Sequence, residues 1–203
     1  LQPDVKDPAL GSAAWATIGH LRLVAGQKDL ALQALEQAYD LGPRNGATAL
    51  LALELLETGS LSVEPMVQDY MQHQPAPTIQ MAYVRVLMEQ QRLEDAQKQL
   101  TSLLKAQPDM TDAWMAQASL HAQRAAWPQA QQALQRLESL LLQIPNEAPR
   151  THALTQAYVL GGRISLQQKD YPQALAWLDK VPEETQTLTV QGLKAQALAK
   201  QGK

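Results

Sequence analysis

The chain of 203 residues has no cysteine and no phenylalanine, and only 4% of it is aromatic. Without cysteine there is no disulfide framework, no zinc ribbon and no thiol nucleophile, and the compartment stays open, because such chains suit the cytosol and the bacterial periplasm alike. Charge of either sign is not in excess: 17 Lys and Arg stand against 20 Asp and Glu, a formal net charge of -3. That leaves no broad basic field for a phosphate backbone, so nucleic acid is not an expected partner. No uninterrupted apolar run reaches the roughly 20 residues a membrane helix needs, so no direct membrane insertion is expected of this sequence. No charged-then-apolar leader opens it either.

Signatures of chemistry are missing too. There is no Gly-x-x-x-x-Gly-Lys loop, no Gly-x-Gly-x-x-Gly turn, no His-Glu-x-x-His helix and no Gly-x-Ser-x-Gly elbow. The histidines His20, His73, His121 and His152 stand far apart, and a metal site would need them to converge with carboxylates. Gly161-Gly162 follows no strand pattern, so close helix packing explains it better than phosphate binding. Glu94-Asp95 and Glu183-Glu184 read as helix starts, where carboxylates complement the helix dipole. The expectation is a non-catalytic chain without cofactor or metal.

What the sequence does hold is Ala, Leu and Gln, all good helix formers, in a composition 45% hydrophobic and 18% charged. Apolar residues fall at three- and four-residue steps, as in Leu93, Ala96, Leu100, Leu103 and Leu104, the mark of an amphipathic helix. An offset of 34 lays Ala96 and Leu100 over Ala130 and Leu134. The same Ala-x-x-x-Leu step recurs at Ala31 to Leu35 and Ala174 to Leu178, while Pro43, Pro75 and Pro108 end successive segments at intervals of 32 and 33. Self-similarity at such a period is the signature of a stacked repeat.

These residues resemble the tetratricopeptide repeat, whose pattern runs Trp, Leu-Gly, Ala, a large apolar residue, Ala, Pro. Trp15, Ile18-Gly19, Ala31, Leu35, Ala38 and Pro43 stand at the family's spacing, with Arg22 where an aromatic residue is preferred. Further units read Tyr83, Leu87, Ala96, Leu100, Leu103 and Pro108, then Trp114, Ala118, Ala130, Leu134 and Leu137, then Tyr158, Gly162, Ala174, Leu178 and Val181. The unit between Arg44 and Pro75 keeps the length and little else. The resemblance implies an all-α, right-handed α-solenoid of about five helical hairpins plus an extra C-terminal helix.

On this reading 1–203 is a single solenoid domain with units near 12–43, 44–75, 77–108, 111–145 and 151–182 and a partial unit at 188–203. Leu1-Gln2-Pro3-Asp4 resembles the close of a preceding unit, so the sequence is expected to be a fragment of a longer protein. Exposed solenoid ends would favour self-association. Small residues at Gly19, Ala31, Ala96, Ala118, Ala130, Gly162 and Ala174 are expected to let helices approach closely. Turns are expected at Gly26 to Asp29, Thr58 to Ser60 and Lys169-Asp170, with Pro128 and Pro172 opening second helices. The fourth and fifth units are about ten residues further apart than the period. Ile144 to Pro149 reads as a connection there, leading into a long helix from Thr151 to Gln168; the excess is either a projecting binding element or a tolerated extension.

The resemblance further implies a concave groove, lined by the first helix of each unit, that receives a peptide or partner protein. Carried over by position, the groove residues are His20, Met81, Arg85, Met88, Met115, Ser119 and Arg163. Methionines would give a deformable lining and the arginines would grip carboxylates; in the competing reading the methionines fill hairpin cores and the arginines are solvated. The Gln- and Ala-rich, degenerate units look like those of bacterial cell-envelope tetratricopeptide proteins, implying a periplasmic assembly scaffold. The alternatives are a cytoplasmic adaptor or co-chaperone, or a regulatory region attached to a catalytic domain outside this fragment.

Overall fold

The computed structural model describes residues 7–73 and 75–202. Among them the backbone forms eleven α-helices and two short 3-10 turns, with no strand. In chain order the helices are α1 (Pro8–Val24), α2 (Lys28–Leu41), α3 (Gly46–Glu57), α4 (Glu64–Gln72), α5 (Pro77–Glu89) and α6 (Leu93–Ala106). They continue as α7 (Thr111–Gln123), α8 (Trp127–Leu141), α9 (Glu147–Gln167), α10 (Tyr171–Leu178) and α11 (Leu188–Lys200). The fold is an all-α helical repeat. Two compact units divide between Arg92 and Leu93. The segment Leu1 to Asp4, expected to close a preceding repeat, lies outside the described residues.

In the first unit α1 packs on α2 and α3, and α3 packs on α4 and α5. In the second, α7 pairs with α8 and α9 with α10, while α11 lies against α9 and α10. What lets these helices close is the absence of side chain at the crossings. Ala31, Ala96, Ala118, Ala130 and Ala174 are fully buried. A Cβ on Gly19 would lie 2.3 Å from Leu51 Cδ2 in the next hairpin, and one on Gly162 would lie 2.7 Å from Leu178 Cδ2. At Gly161 the obstacle is the Trp177 ring, 2.6 Å away. Gly161-Gly162 therefore serves close packing between α9 and α10, as expected from its helical setting.

Polar contacts repeat with the packing. Lys28 Nζ donates to Thr58 O (2.8 Å), Tyr39 Oη to Asp69 Oδ2 (3.0 Å) and Arg124 Nη2 to Glu94 Oε1 (2.7 Å), each across 30 residues. One contact is buried: Ser12 Oγ donates to Ala38 O at 2.9 Å and lies 2.8 Å from Thr48 Oγ1, tying α1 to α2 and α3. Farther along, Lys180 Nζ bonds Glu138 Oε1 (2.9 Å) and sits 4.3 Å from the Trp177 ring centroid. Burial and the Glu138 carboxylate push the Tyr158 hydroxyl up to about 12, so the phenol stays protonated and bonded.

Helix starts follow the expected chemistry. Pro128 and Pro172 stand in the first turns of α8 and α10, where a missing N–H costs nothing. Trp127 packs back on the apolar cluster of its unit. The segment read as a connection is a correction: α9 begins at Glu147, so Pro149 lies inside its first turn and the helix runs 21 residues. Proline is tolerated at such a position because the first N–H groups have no intrahelical acceptor. Glu183 and Glu184 lie in a 3-10 turn, and Thr187, whose hydroxyl accepts from Val190 N, caps α11 instead.

Every first helix ends the same way. Positive φ recurs at Gly26 (74°), Gly59 (87°), Gln91 (59°), Ala125 (53°), Lys169 (64°) and Gly202 (75°). At Ala125 the flanking bonds are Ala125 N to Ala122 O and Ala126 N to His121 O, the paired closure of a Schellman cap, and Gln27 N to Arg22 O and Asp170 N to Ser165 O repeat it. Three of these positions carry a side chain where left-handed backbone costs an L-residue roughly 1–2 kcal/mol, partly offset by the greater freedom glycine has when unfolded. Ala125→Gly and Lys169→Gly are therefore expected to stabilise the chain by up to about 1 kcal/mol each. Urea unfolding followed by circular dichroism measures this, and a loss of stability in both variants would contradict the cap geometry.

Candidate partner-binding faces

The first helices of successive hairpins lie side by side, α1, α3 and α5 in one unit and α7, α9 and α11 in the other. Between α1 and α3 they leave a cleft of about 270 Å³. Ala16 and Ala47 keep it open because neither fills it, Leu50 stands on its rim 44% exposed, and His20 and Glu54 face each other across it. His20 Nδ1 lies 2.7 Å from Glu54 Oε2. Both side chains remain substantially exposed, at 51% and 38%. A polar contact between side chains so exposed contributes about 0–1 kcal/mol, so it holds the fold only weakly.

The other positions singled out in the sequence divide by burial. Arg85 on α5 and Arg163 on α9 are exposed, and neither forms an ion pair among the described residues. Met81 is 8% exposed and belongs to the core, which is the core-filling alternative for that methionine. Met88 is half-buried. Met115 is also half-buried and rests on Leu137, Leu141 and Ala157. Ser119 donates its hydroxyl to Met115 O at 3.1 Å, so its proton is already used within α7.

Leu50 and Glu54 were not reached from the sequence because the second repeat has too few family residues to fix its register. One signal was available: Glu54 follows His20 by 34 residues, one full period, so the repeat itself places the two side by side. The remaining histidines are engaged locally. His73 Nδ1 lies 2.7 Å from Asp69 O, and His152 Nε2 lies 3.1 Å from Gln156 Nε2. Among the described residues no three His, Asp or Glu side chains gather as a metal site would require, and no helix is long and apolar enough to cross a membrane.

Residues 83–141 match the family model described as tetratricopeptide repeat. That stretch contains α6, α7 and α8, with the Ala96, Ala118 and Ala130 crossings in place. Over residues 83–141 the chain carries the tetratricopeptide repeat. Solved structures with the same fold include yeast Tom70, at 16% identity and a TM-score of 0.59, covering 94% of this chain and 40% of that one. Acl4, the assembly chaperone of RpL4 (residues 1–338), gives 17% identity and a TM-score of 0.51 over 94% of this chain and 83% of that one. PilF of Pseudomonas aeruginosa gives 15% identity and a TM-score of 0.49 over 94% of this chain and all of that one. No curated protein sequence matches. At these identities the likeness to the first two is one of fold.

For the α1–α3 cleft, the weak coupling of its polar pair has a measurable consequence. Glu54→Gln is expected to change unfolding free energy by less than about 1 kcal/mol. A loss above about 2 kcal/mol would show that the pair holds the fold rather than standing free for a ligand.

Proposed function

We propose that this chain is, over its whole length, a non-catalytic tetratricopeptide-repeat scaffold that receives a peptide or protein segment on the exposed faces of its first helices. The observation that carries this is the α1–α3 cleft: small floor, exposed leucine, and a polar pair whose bonds are cheap to exchange. Exposed Arg85 and Arg163 add cationic groups suited to carboxylates of a guest, because a guanidinium presents paired donors. The helical-repeat architecture supports the reading, and Acl4, which shares the fold, is by name an assembly chaperone of another protein. The finer reading is assembly of an envelope complex in a bacterium, supported by the degenerate, Gln- and Ala-rich style of the units.

A photo-crosslinking residue at Leu50 or Arg163, compared with one at outer positions Gln37 and Ser139, tests the site. Crosslinks to a discrete partner are expected from the first pair of positions and not from the second. Leu50→Glu is expected to weaken capture of that partner at least tenfold, about the contribution of one buried leucine. Equal crosslinking from the outer positions, or unchanged capture by Leu50→Glu, would place the binding surface elsewhere.

A further inference from the structure

Asparagine is nearly absent from this chain: only Asn45 and Asn146 occur among 203 residues. Each stands immediately before a helix, Asn45 before α3 and Asn146 before α9. Only the first is built into the packing. Asn45 Oδ1 accepts from Ala47 N at 2.9 Å, capping α3, and Nδ2 donates to Ala9 O in the first turn of α1 at 3.1 Å. One carboxamide thus clasps the start of α1 to the start of α3. Asn146 is exposed, and its side chain makes no cap bond.

The residue after Asn45 is glycine, and packing explains it: a Cβ on Gly46 would lie 3.1 Å from Ile79 Cδ1 on α5. The chemical consequence is separate. Asparagine is a thermolabile residue, because the main-chain nitrogen that follows it can attack its own side-chain amide. With no side chain at position 46 nothing crowds that attack, whereas Glu147 sets a side chain and a negative charge beside the nitrogen after Asn146. The Gly46 N–H opens α3 and has no acceptor among the described residues, so no hydrogen bond holds its proton. Asn45 also lines an open concavity of about 660 Å³, which admits the water the reaction consumes. One element opposes the reaction. At ψ 130° the Gly46 nitrogen is turned away from Asn45 Cγ, so the first turn of α3 must open before the two atoms meet. Helix ends open more readily than interiors, and glycine weakens the turn it stands in.

We propose that Asn45-Gly46 is a self-modification site at which the chain irreversibly releases the clasp between α1 and α3. The Gly46 nitrogen gives its proton to water and bonds to Asn45 Cγ; the Cγ–Nδ2 bond breaks, and Nδ2 leaves as ammonia. Water then opens the resulting succinimide at either of its carbonyls. One opening restores the main chain with an aspartyl side chain at position 45. The other leads the main chain through Cβ and Cγ as an isoaspartyl linkage. In sum an amide and water become a carboxylate and ammonium, with no oxidant or reductant. The aspartyl form can still cap Ala47 N, but its carboxylate sets an acceptor against the Ala9 carbonyl where a donor stood. The isoaspartyl form also lengthens the main chain by a methylene and takes the cap off α3. Ala47 lines the α1–α3 cleft as well, so the release alters that cleft, whatever occupies it.

The whole chain is its own substrate, so the test needs no variant to fold. It is held in weakly alkaline buffer in the native state, in urea just below the unfolding transition, and fully unfolded. Peptide mapping by mass spectrometry reads the acid form at each asparagine, and isoaspartyl methyltransferase labelling reads the rearranged form. In native buffer, modification at Asn45 is expected to outrun that at Asn146 by at least about tenfold, a barrier difference of about 1.4 kcal/mol. The Asn45 rate should rise in sub-denaturing urea, as the first turn of α3 opens. Gly46→Ala should slow it about tenfold even in the unfolded chain, where packing on Ile79 plays no part. Asn45→Asp, which mimics the aspartyl form, should unfold at lower urea than the parent. Equal rates at the two asparagines, or no acid form at Asn45 in native buffer over several times the period that converts the unfolded chain, would overturn the proposal. So would a rate indifferent to sub-denaturing urea, an unfolded Gly46→Ala chain as reactive as the parent, or an Asn45→Asp variant as stable as the parent.

Discussion

Close approach of helix backbones at residues with little or no side chain is the constraint on which this molecule depends. An amphipathic helix of 13 to 17 residues, such as α1 or α7, cannot cover its own apolar face, so the face must be met by the next helix. Gly19, Ala31, Ala118, Ala130 and Gly162 set how near that helix comes, and the large leucines of the neighbour, Leu51 and Leu178 among them, fill the space a Cβ would have taken. Leucine and glycine therefore act as one fitting across the contact. The caps, turns and surface ion pairs orient helices that this fit has already brought together.

Much of the fold was legible because its physics is periodic. Alanine at 31, 96, 130 and 174 marks the crossings, prolines mark helix starts, and an offset near 34 marks the repeat. Legibility failed where the backbone carries the pattern and the side chain does not. Gln91, Ala125 and Lys169 occupy left-handed positions that only Gly26, Gly59 and Gly202 advertise. Pro149 suggests a connection because proline commonly ends helices, yet in the first turn it disturbs no hydrogen bond, and α9 gains length at that end. In the candidate face, helical position alone could not say that Met81 turns inward while Arg85, four residues on, stays in solvent, because α5 is packed on more than one side.

That same packing explains why partner-facing groups sit where they do. The small residues that permit stacking also leave shallow space beside them, as Ala16 and Ala47 do under Leu50. Groups around that space, such as His20 and Glu54, are bonded only at the surface and hold the fold weakly.

A double-mutant cycle on Gly19→Ala and Leu51→Ala puts the steric fitting between α1 and α3 to measurement. Gly19→Ala alone should destabilise by about 1–3 kcal/mol through overpacking, although alanine is the better helix former by nearly 1 kcal/mol. Leu51→Ala alone should cost about 2–5 kcal/mol. Together they should cost at least about 1 kcal/mol less than their sum, because the new methyl group enters the space the leucine vacated. Additivity within about 0.5 kcal/mol, or a stabilising Gly19→Ala, would contradict the view that glycine and leucine interlock to hold the hairpins together.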